Sequence, residues 1–214
     1  MNVYERKAIE SRLAEQLLNQ CIFIERLKDS GMNENLYNRF KNFKFETPTE
    51  NHRKVKGRIL RWIKEIWVEK PFLVLYGNYG TGKTMIAGKI ATILFDKKRP
   101  VYFTTKKDFD LKITNFDENV SEFIEDLKQR ELVVIDDFLS GYLTDYRFSQ
   151  LFSILDHRYI ERKLTIITAN EDLRKHKGNS DFERLKDRLF EVGEFLYFNL
   201  PSYRSGKMYQ KKEF

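Results

Sequence analysis

Gly77-Asn78-Tyr79-Gly80-Thr81-Gly82-Lys83-Thr84 fits the pattern G-x-x-x-x-G-K-[ST] without a mismatch. These residue types suit the grip of a polyphosphate. Glycines at 77, 80 and 82 leave no Cβ to obstruct backbone N–H groups closing on phosphate oxygens. Lys83 is placed to reach β and γ phosphates, and the Thr84 hydroxyl offers a hard oxygen to Mg²⁺. An apolar run, Phe72 to Tyr76, precedes the motif and a helix-forming stretch follows it. The phosphates would therefore also meet the positive end of a helix. The expected ligand is ATP or ADP with Mg²⁺, with every residue from Gly77 to Thr84 in the nucleotide shell.

A second group stands about 50 residues downstream, where Leu132-Val-Val-Ile runs into Asp136-Asp137. A buried strand would deliver Asp136 at its C-terminal edge, the edge at which open α/β sheets bind ligands. There Asp136 would hold Mg²⁺ through water, and Asp137 would orient or deprotonate an attacking water. Thr165-Ile-Ile-Thr-Ala-Asn170 is a further apolar strand ending in a polar amide. Asn170 could position water beside the γ-phosphate, although Asn at a strand end is also an ordinary turn former. Arg184 and Arg188 lie four apart on an expected helix and share a face. They suit either phosphate or surface pairing with Glu183 and Asp187.

The elements that must hold these groups follow from periodicity. Strands are expected at 72–76, 101–104, 132–135, 164–168 and 195–198. Helices are expected at about 82–96, 117–129, 144–162 and 181–190, and the segment from Lys106 to Arg130 reads as mixed. Such alternation implies a five-stranded parallel sheet covered by helices on both faces. Before it, residues 3–30 place Leu13, Leu17, Cys21, Ile24 and Leu27 at helical spacing, with Gly31 as a left-handed stop. Asn33 to Phe45 is shorter and aromatic-rich. Thr47-Pro48-Thr49-Glu50 then opens a helix over about 49–68, with Val55, Ile59, Trp62, Ile63 and Ile66 on one face. The expected division is an N-terminal helical arm, 1–47, and an ATPase domain, 48–214.

Composition narrows the setting. The formal net charge is +7, yet residues 51–70 alone hold seven basic and two acidic side chains. A block of that kind can meet a phosphate backbone or form a solvated helix face. One cysteine, Cys21, excludes an intrachain disulfide, and histidines at 52, 157 and 176 are too scattered for a zinc site. No apolar run approaches the roughly 18–20 residues of a membrane span, and Met1 to Glu10 lacks an apolar leader core. The expectation is a cytoplasmic protein with neither membrane partner nor zinc.

Taken in order, the strand and P-loop, the Ile-Asp-Asp box, the Thr-Ile-Ile-Thr-Ala-Asn strand, the Arg-Leu-x-x-Arg-Leu helix and the closing Pro-Ser-Tyr-Arg204 resemble one family. It is the bacterial and phage replicative helicase loaders of the DnaC/DnaI type, AAA+ ATPases close to the initiator DnaA and related to the transposition ATPase IstB. The resemblance spans about residues 70–206. It implies the P-loop (ASCE/AAA+) fold without a C-terminal lid domain. It makes Gly77–Thr84 Walker A, Asp136 and Asp137 Walker B, and Asn170 sensor 1. Arg188 becomes an arginine finger acting on a neighbouring subunit, with Arg184 as fallback, and Arg204 a sensor 2-like arginine. It implies slow ATP hydrolysis that depends on oligomer and DNA, self-oligomers in the ATP state, a hexameric replicative helicase as partner and loading onto single-stranded DNA. Lys106, Lys107, Phe109 and Lys112 would contribute to the DNA channel, and residues 1–45 would dock the helicase. The alternative is an IstB-like transposition ATPase acting on duplex DNA with a transposase. Two departures stand out. The arm cannot build the zinc site of Bacillus-type loaders, and Phe138-Leu139-Ser140 replaces the usual glycine after the Walker B acids, with Gly141 displaced.

Overall fold

The computed structural model describes residues 3–114, 119–140 and 145–203, with side chains from Arg12 onward and not at 145. The chain runs α1 (Val3–Asp29), α2 (Glu34–Asn42), α3 (Glu50–Arg61), a π turn (Trp62–Ile66), β1 (Phe72–Gly77), α4 (Lys83–Asp96), β2 (Val101–Thr105) and α5 (Lys106–Thr114). It continues with α6 (Val120–Gln129), β3 (Leu132–Asp136), α7 (Asp145–Ile160), β4 (Leu164–Ala169), α8 (Ser180–Val192) and β5 (Gly193–Phe198). The strands are all parallel, in the order β2-β3-β4-β1-β5.

Alternate residues of each strand serve opposite faces. From β1, Leu73 and Leu75 join α2, α3 and α4 in one core, while Phe72, Val74 and Tyr76 join α5 to α8 in the other. Burial on both faces is why the strands read as nearly continuous apolar runs. Each such side chain taken out of water contributes about 1.5–3 kcal/mol before entropy is counted.

The segment before β1 divides differently from its composition. Leu27, Met32, Tyr37 and Phe40 are buried in the same core as Ile86, Ala87 and Ala91 of the P-loop helix. By contrast Leu13, Leu17 and Ile24 of the expected apolar stripe are exposed, as is Cys21. α1 ends in a Schellman cap, with Met32 N–H donating to Leu27 O and Gly31 N–H to Lys28 O, and Gly31 at φ +70. Ser30 O then accepts from Phe103 N–H, tying the end of α1 to β2.

Two expectations need correction. The helix before β1 runs into a π turn rather than continuing as α-helix; Trp62 is buried, and Ile63, 39% exposed, lines an open apolar groove with Ile59, Ile86 and Ile90. The mixed stretch after β2 opens as a helix, and Lys106 and Phe109 are both fully buried. Lys106 Nζ lies 2.6 Å from each oxygen of Asp110. Neither Lys106 nor Phe109 can face a DNA channel; of that group Lys107 and Lys112 are exposed. Gly141 lies outside the described residues. Among those described, no helix is long and apolar enough to cross a membrane.

Candidate nucleotide site

β1 delivers the loop at the C-terminal edge of the sheet. A Cβ on Gly77 (φ +129) would lie 2.8 Å from Phe198 O of the neighbouring strand, so only glycine can leave β1 there. Gly80 and Gly82 also take positive φ. Thr81 Oγ1 donates to Asn78 O at 2.9 Å and closes the turn from inside. α4 begins at Lys83, so its unpaired N-terminal N–H groups open into the loop. Lys83 is buried, and its Nζ donates to Gly77 O at 2.8 Å and Asn78 O at 2.7 Å.

Across the loop stands a chain of hydrogen bonds. Asp136, at the end of β3 and 4% exposed, accepts from Thr84 Oγ1 at 2.8 Å and from Thr168 Oγ1 at 2.6 Å, both on Oδ1. Asp137 N–H donates to the same Thr168 hydroxyl at 3.0 Å, and Asn170 Nδ2 donates to Asp137 Oδ1 at 2.8 Å. Asp137 has φ +53, a left-handed conformation that Asp tolerates better than most residues. Burial pushes the Asp136 carboxyl up from its ordinary value. The Thr168 and Thr84 hydroxyls oppose that rise, the Asp137 charge adds to it, and Lys83 opposes it.

The residues fit a magnesium nucleotide. Thr84 and Asp136 present adjacent oxygens, the donor type Mg²⁺ takes from proteins when phosphates complete its shell. A cavity of about 150 Å³ is lined by Arg39, Tyr79 to Thr84, Asp137, Asn170 and Tyr203. A larger open cleft, about 720 Å³, borders it at Asn170 and extends past Gly77 and Asn78 toward Arg174 and Tyr197. The convergent phosphate donors line the smaller space, so chemistry and size point to different cavities, and the chemistry decides.

The structure thus brings together Gly77 to Thr84, Asp136, Asp137 and Asn170. It does not bring the arginines of α8 into the cavity. Arg188 contacts Asp156 of α7 and lies over the rings of Phe152 and Tyr159, 5.1 and 5.4 Å from their centroids. Arg184 is 70% exposed, with Asp181 at 3.7 Å. Arg204 lies outside the described residues. The residue before it is at the site: Tyr203 N–H donates to Gly80 O at 2.8 Å, and its ring faces Gly82 and Phe43.

Sequence reasoning passed over three residues. Thr168 carried a signal, because a hydroxyl two positions before Asn170 on a strand shares its side of the sheet. Arg39 reaches the loop only through tertiary packing and carried none, and Tyr203 stood in the Pro-Ser-Tyr-Arg204 ending without a role of its own.

A family model described as IstB-like ATP binding protein matches residues 24–209. No curated protein matches the sequence. Among solved structures, the DnaC helicase loader superposes with a TM-score of 0.62 at 21% identity, covering 77% of this chain and 98% of that one. DnaI gives 0.64 at 19% identity, covering 80% and 93%. AMPPCP-bound DnaA from Aquifex aeolicus gives 0.61 at 21% identity, covering 76% and 49%. At these identities the likeness establishes the fold.

Proposed function

The chain belongs to the IstB-like ATP-binding protein family, and from that premise we propose that it is an AAA+ ATPase of DNA replication that binds the replicative helicase and loads it onto single-stranded DNA. Magnesium, when bound with ATP, supplies charge neutralisation between the phosphates. This chain's residues do the rest. Gly77 to Gly82 and the first N–H groups of α4 bind and orient the phosphates. Lys83 moves its ammonium from two loop carbonyls to phosphate oxygens. Thr84 and Asp136 would hold the metal, and Thr168 keeps the Asp136 carboxylate aimed and opposes the rise that burial imposes on it. Asp137, oriented by Asn170, is the group that accepts a water proton.

Within the P-loop motif Lys83 is the one cation, and charge must also be met at the transferred group. The exposure of Arg184 supports it as the residue that reaches a neighbouring subunit's nucleotide, whereas Arg188 is engaged within its own α7–α8 contact. Assembly in the ATP state follows, with Arg204 as a second cation on the nucleotide. The basic outer face of α3, with Arg53, Lys54 and Arg61 all more than 60% exposed, is available to DNA phosphates. The cytoplasm is the compartment in which such a partner set is met.

The observation that carries the loader reading is α1. Its root is packed into the ATPase core while Leu13, Leu17, Leu18 and Ile22 stand 45–61% exposed along the rest. An apolar stripe on a helix is how one helix recognises another protein's groove or helix. The test is capture of the cognate hexameric helicase by the full-length protein, with ATP and with ADP, against the double variant Leu13→Glu/Leu17→Glu. Capture that the variant loses while still binding ATP supports the reading. A wild-type protein that captures no helicase in either nucleotide state refutes it. The family match favours one alternative, an IstB-like transposition ATPase on duplex DNA. Preference for duplex over single strands, with capture of a transposase, would select that instead.

A further inference from the structure

α2 lies before the P-loop strand, outside every motif that binds nucleotide by resemblance. Yet its Arg39 lines the same cavity as Gly80, Thr81, Gly82 and Lys83. Three features make that placement chemical. Arg39 is exposed, and it forms no hydrogen bond or ion pair with another described residue. Its charge is left to solvent and to whatever occupies the cavity it lines. The hole is walled by the N-terminus of α4 and by Lys83, and the one carboxylate among its lining residues, Asp137, is already bonded by Asn170, so a second cation there suits an anionic ligand.

α2 is also held rigidly over the loop. Phe40, the next residue, packs against Gly88 of α4 so closely that a Cβ there would sit 2.4 Å from its ring. Tyr37 OH donates to Asp96 Oδ1 at 2.6 Å at the far end of α4, and Lys89 Nζ donates to Lys41 O. α2 is therefore fastened to the P-loop helix along its length, and the backbone that carries Arg39 is held beside the loop. A planar guanidinium with several donors suits paired phosphate oxygens.

We propose that Arg39 is a phosphate ligand of the bound nucleotide, supplied in cis by the helical segment that precedes β1. The inference rests on the nucleotide reading of the P-loop alone and does not require the helicase. It makes the root of the N-terminal segment part of the ATP site.

The test uses the full-length protein and its Arg39→Ala, Arg39→Gln and Arg39→Lys variants. Calorimetric titration with Mg·ATP, Mg·ADP and inorganic pyrophosphate needs no turnover. Arg39→Ala and Arg39→Gln are expected to weaken all three ligands about tenfold. Arg39→Lys should recover part of the loss, and the nucleotide-free melting midpoint should hold in all variants. Affinities within twofold of wild type would overturn the proposal. So would a Lys variant as weak as the Gln variant, or an affinity loss that comes with a fallen midpoint. A wild-type protein that binds none of the ligands would refute the nucleotide reading itself, whereas failure confined to the variants refutes Arg39 alone.

Discussion

Replacing Thr168 by Val tests whether the hydrogen-bond chain behind the P-loop is as described. Valine has nearly the same shape, so no cavity opens, and the change is confined to one hydroxyl. That hydroxyl donates to a buried carboxylate at 2.6 Å and accepts a backbone N–H at 3.0 Å. A hydrogen bond to a charged group is worth about 1.5–3 kcal/mol, and a buried N–H left without a partner costs about 1–3 kcal/mol. The two are coupled through Asp136 and Asp137, so the sum is not strictly additive. The expected loss is about 3–4 kcal/mol, a fall of roughly 6–16 °C in Tm for a chain of this size. Urea and thermal unfolding of the nucleotide-free protein measure it. Thr168→Ser keeps both bonds and should lose no more than about 1 kcal/mol.

The sign of the pH dependence adds a second check. Burial raises the Asp136 carboxyl, so the folded state holds its proton at pH values where the unfolded chain has released it. The stabilisation from that proton is full below the unfolded pKa and is lost as pH rises through the folded one. Without the Thr168 hydroxyl the folded value rises further. The Val deficit should therefore be full at pH values above the folded pKa and shrink as pH falls through it. A Val variant within about 1 kcal/mol of wild type, or a Ser variant as damaged as Val, would refute the network.

Other substitutions read other parts of the structure. Gly88→Val drives a side chain into Phe40, and overpacking of this kind costs about 1–3 kcal/mol, seen as a lowered urea midpoint. Arg158 is fully buried and donates to Leu127 O and Arg130 O at 2.8 Å, to Leu164 O at 2.5 Å and to Thr165 Oγ1 at 3.0 Å. Arg158→Met orphans these acceptors and should cost at least about 3 kcal/mol by denaturant titration, without altering the chemistry of the site. Arg188→Ala should lose about 1–2 kcal/mol with its Asp156 and ring contacts, whereas Arg184→Ala should stay within about 0.5 kcal/mol. If Arg184 is the residue acting in trans, ATP turnover of the assembled protein should fall about 10³-fold in its variant at unchanged ATP affinity.

What could be read from the sequence was local. The P-loop and the two acids are fixed by a few adjacent residues and by the strands that carry them, and both stand where spacing put them. The helix from Lys106 was hidden because its inner face contains a lysine and an aspartate. Only their mutual 2.6 Å contact makes that face buriable. The π turn was hidden because periodicity assumes a constant 3.6 residues per turn. Arg188 was read from its motif, and its contacts with Asp156, Phe152 and Tyr159 within the subunit come from packing that no spacing shows.

The boundary at Pro48 shows the same limit and leads to a mechanical point. A breaker marks where the chain turns, not where a rigid body ends. The end of α1 is fastened on three sides. Arg130 forks onto Asp29 with two contacts of 2.6 Å, Arg26 Nη2 donates to Phe95 O at 2.6 Å, and Gly31 fits so tightly that a Cβ would meet Phe103 O at 2.3 Å. Phe23 packs edge-on against Tyr37 and Phe95. From that anchorage α1 continues without a break to Val3, about 40 Å of helix at 1.5 Å per residue. A load on its exposed stripe is thus delivered to β2, to α2 and to the far end of α4. α4 begins at Lys83 and α2 carries Arg39, so an event at the arm and an event at the phosphates act on one connected piece of structure.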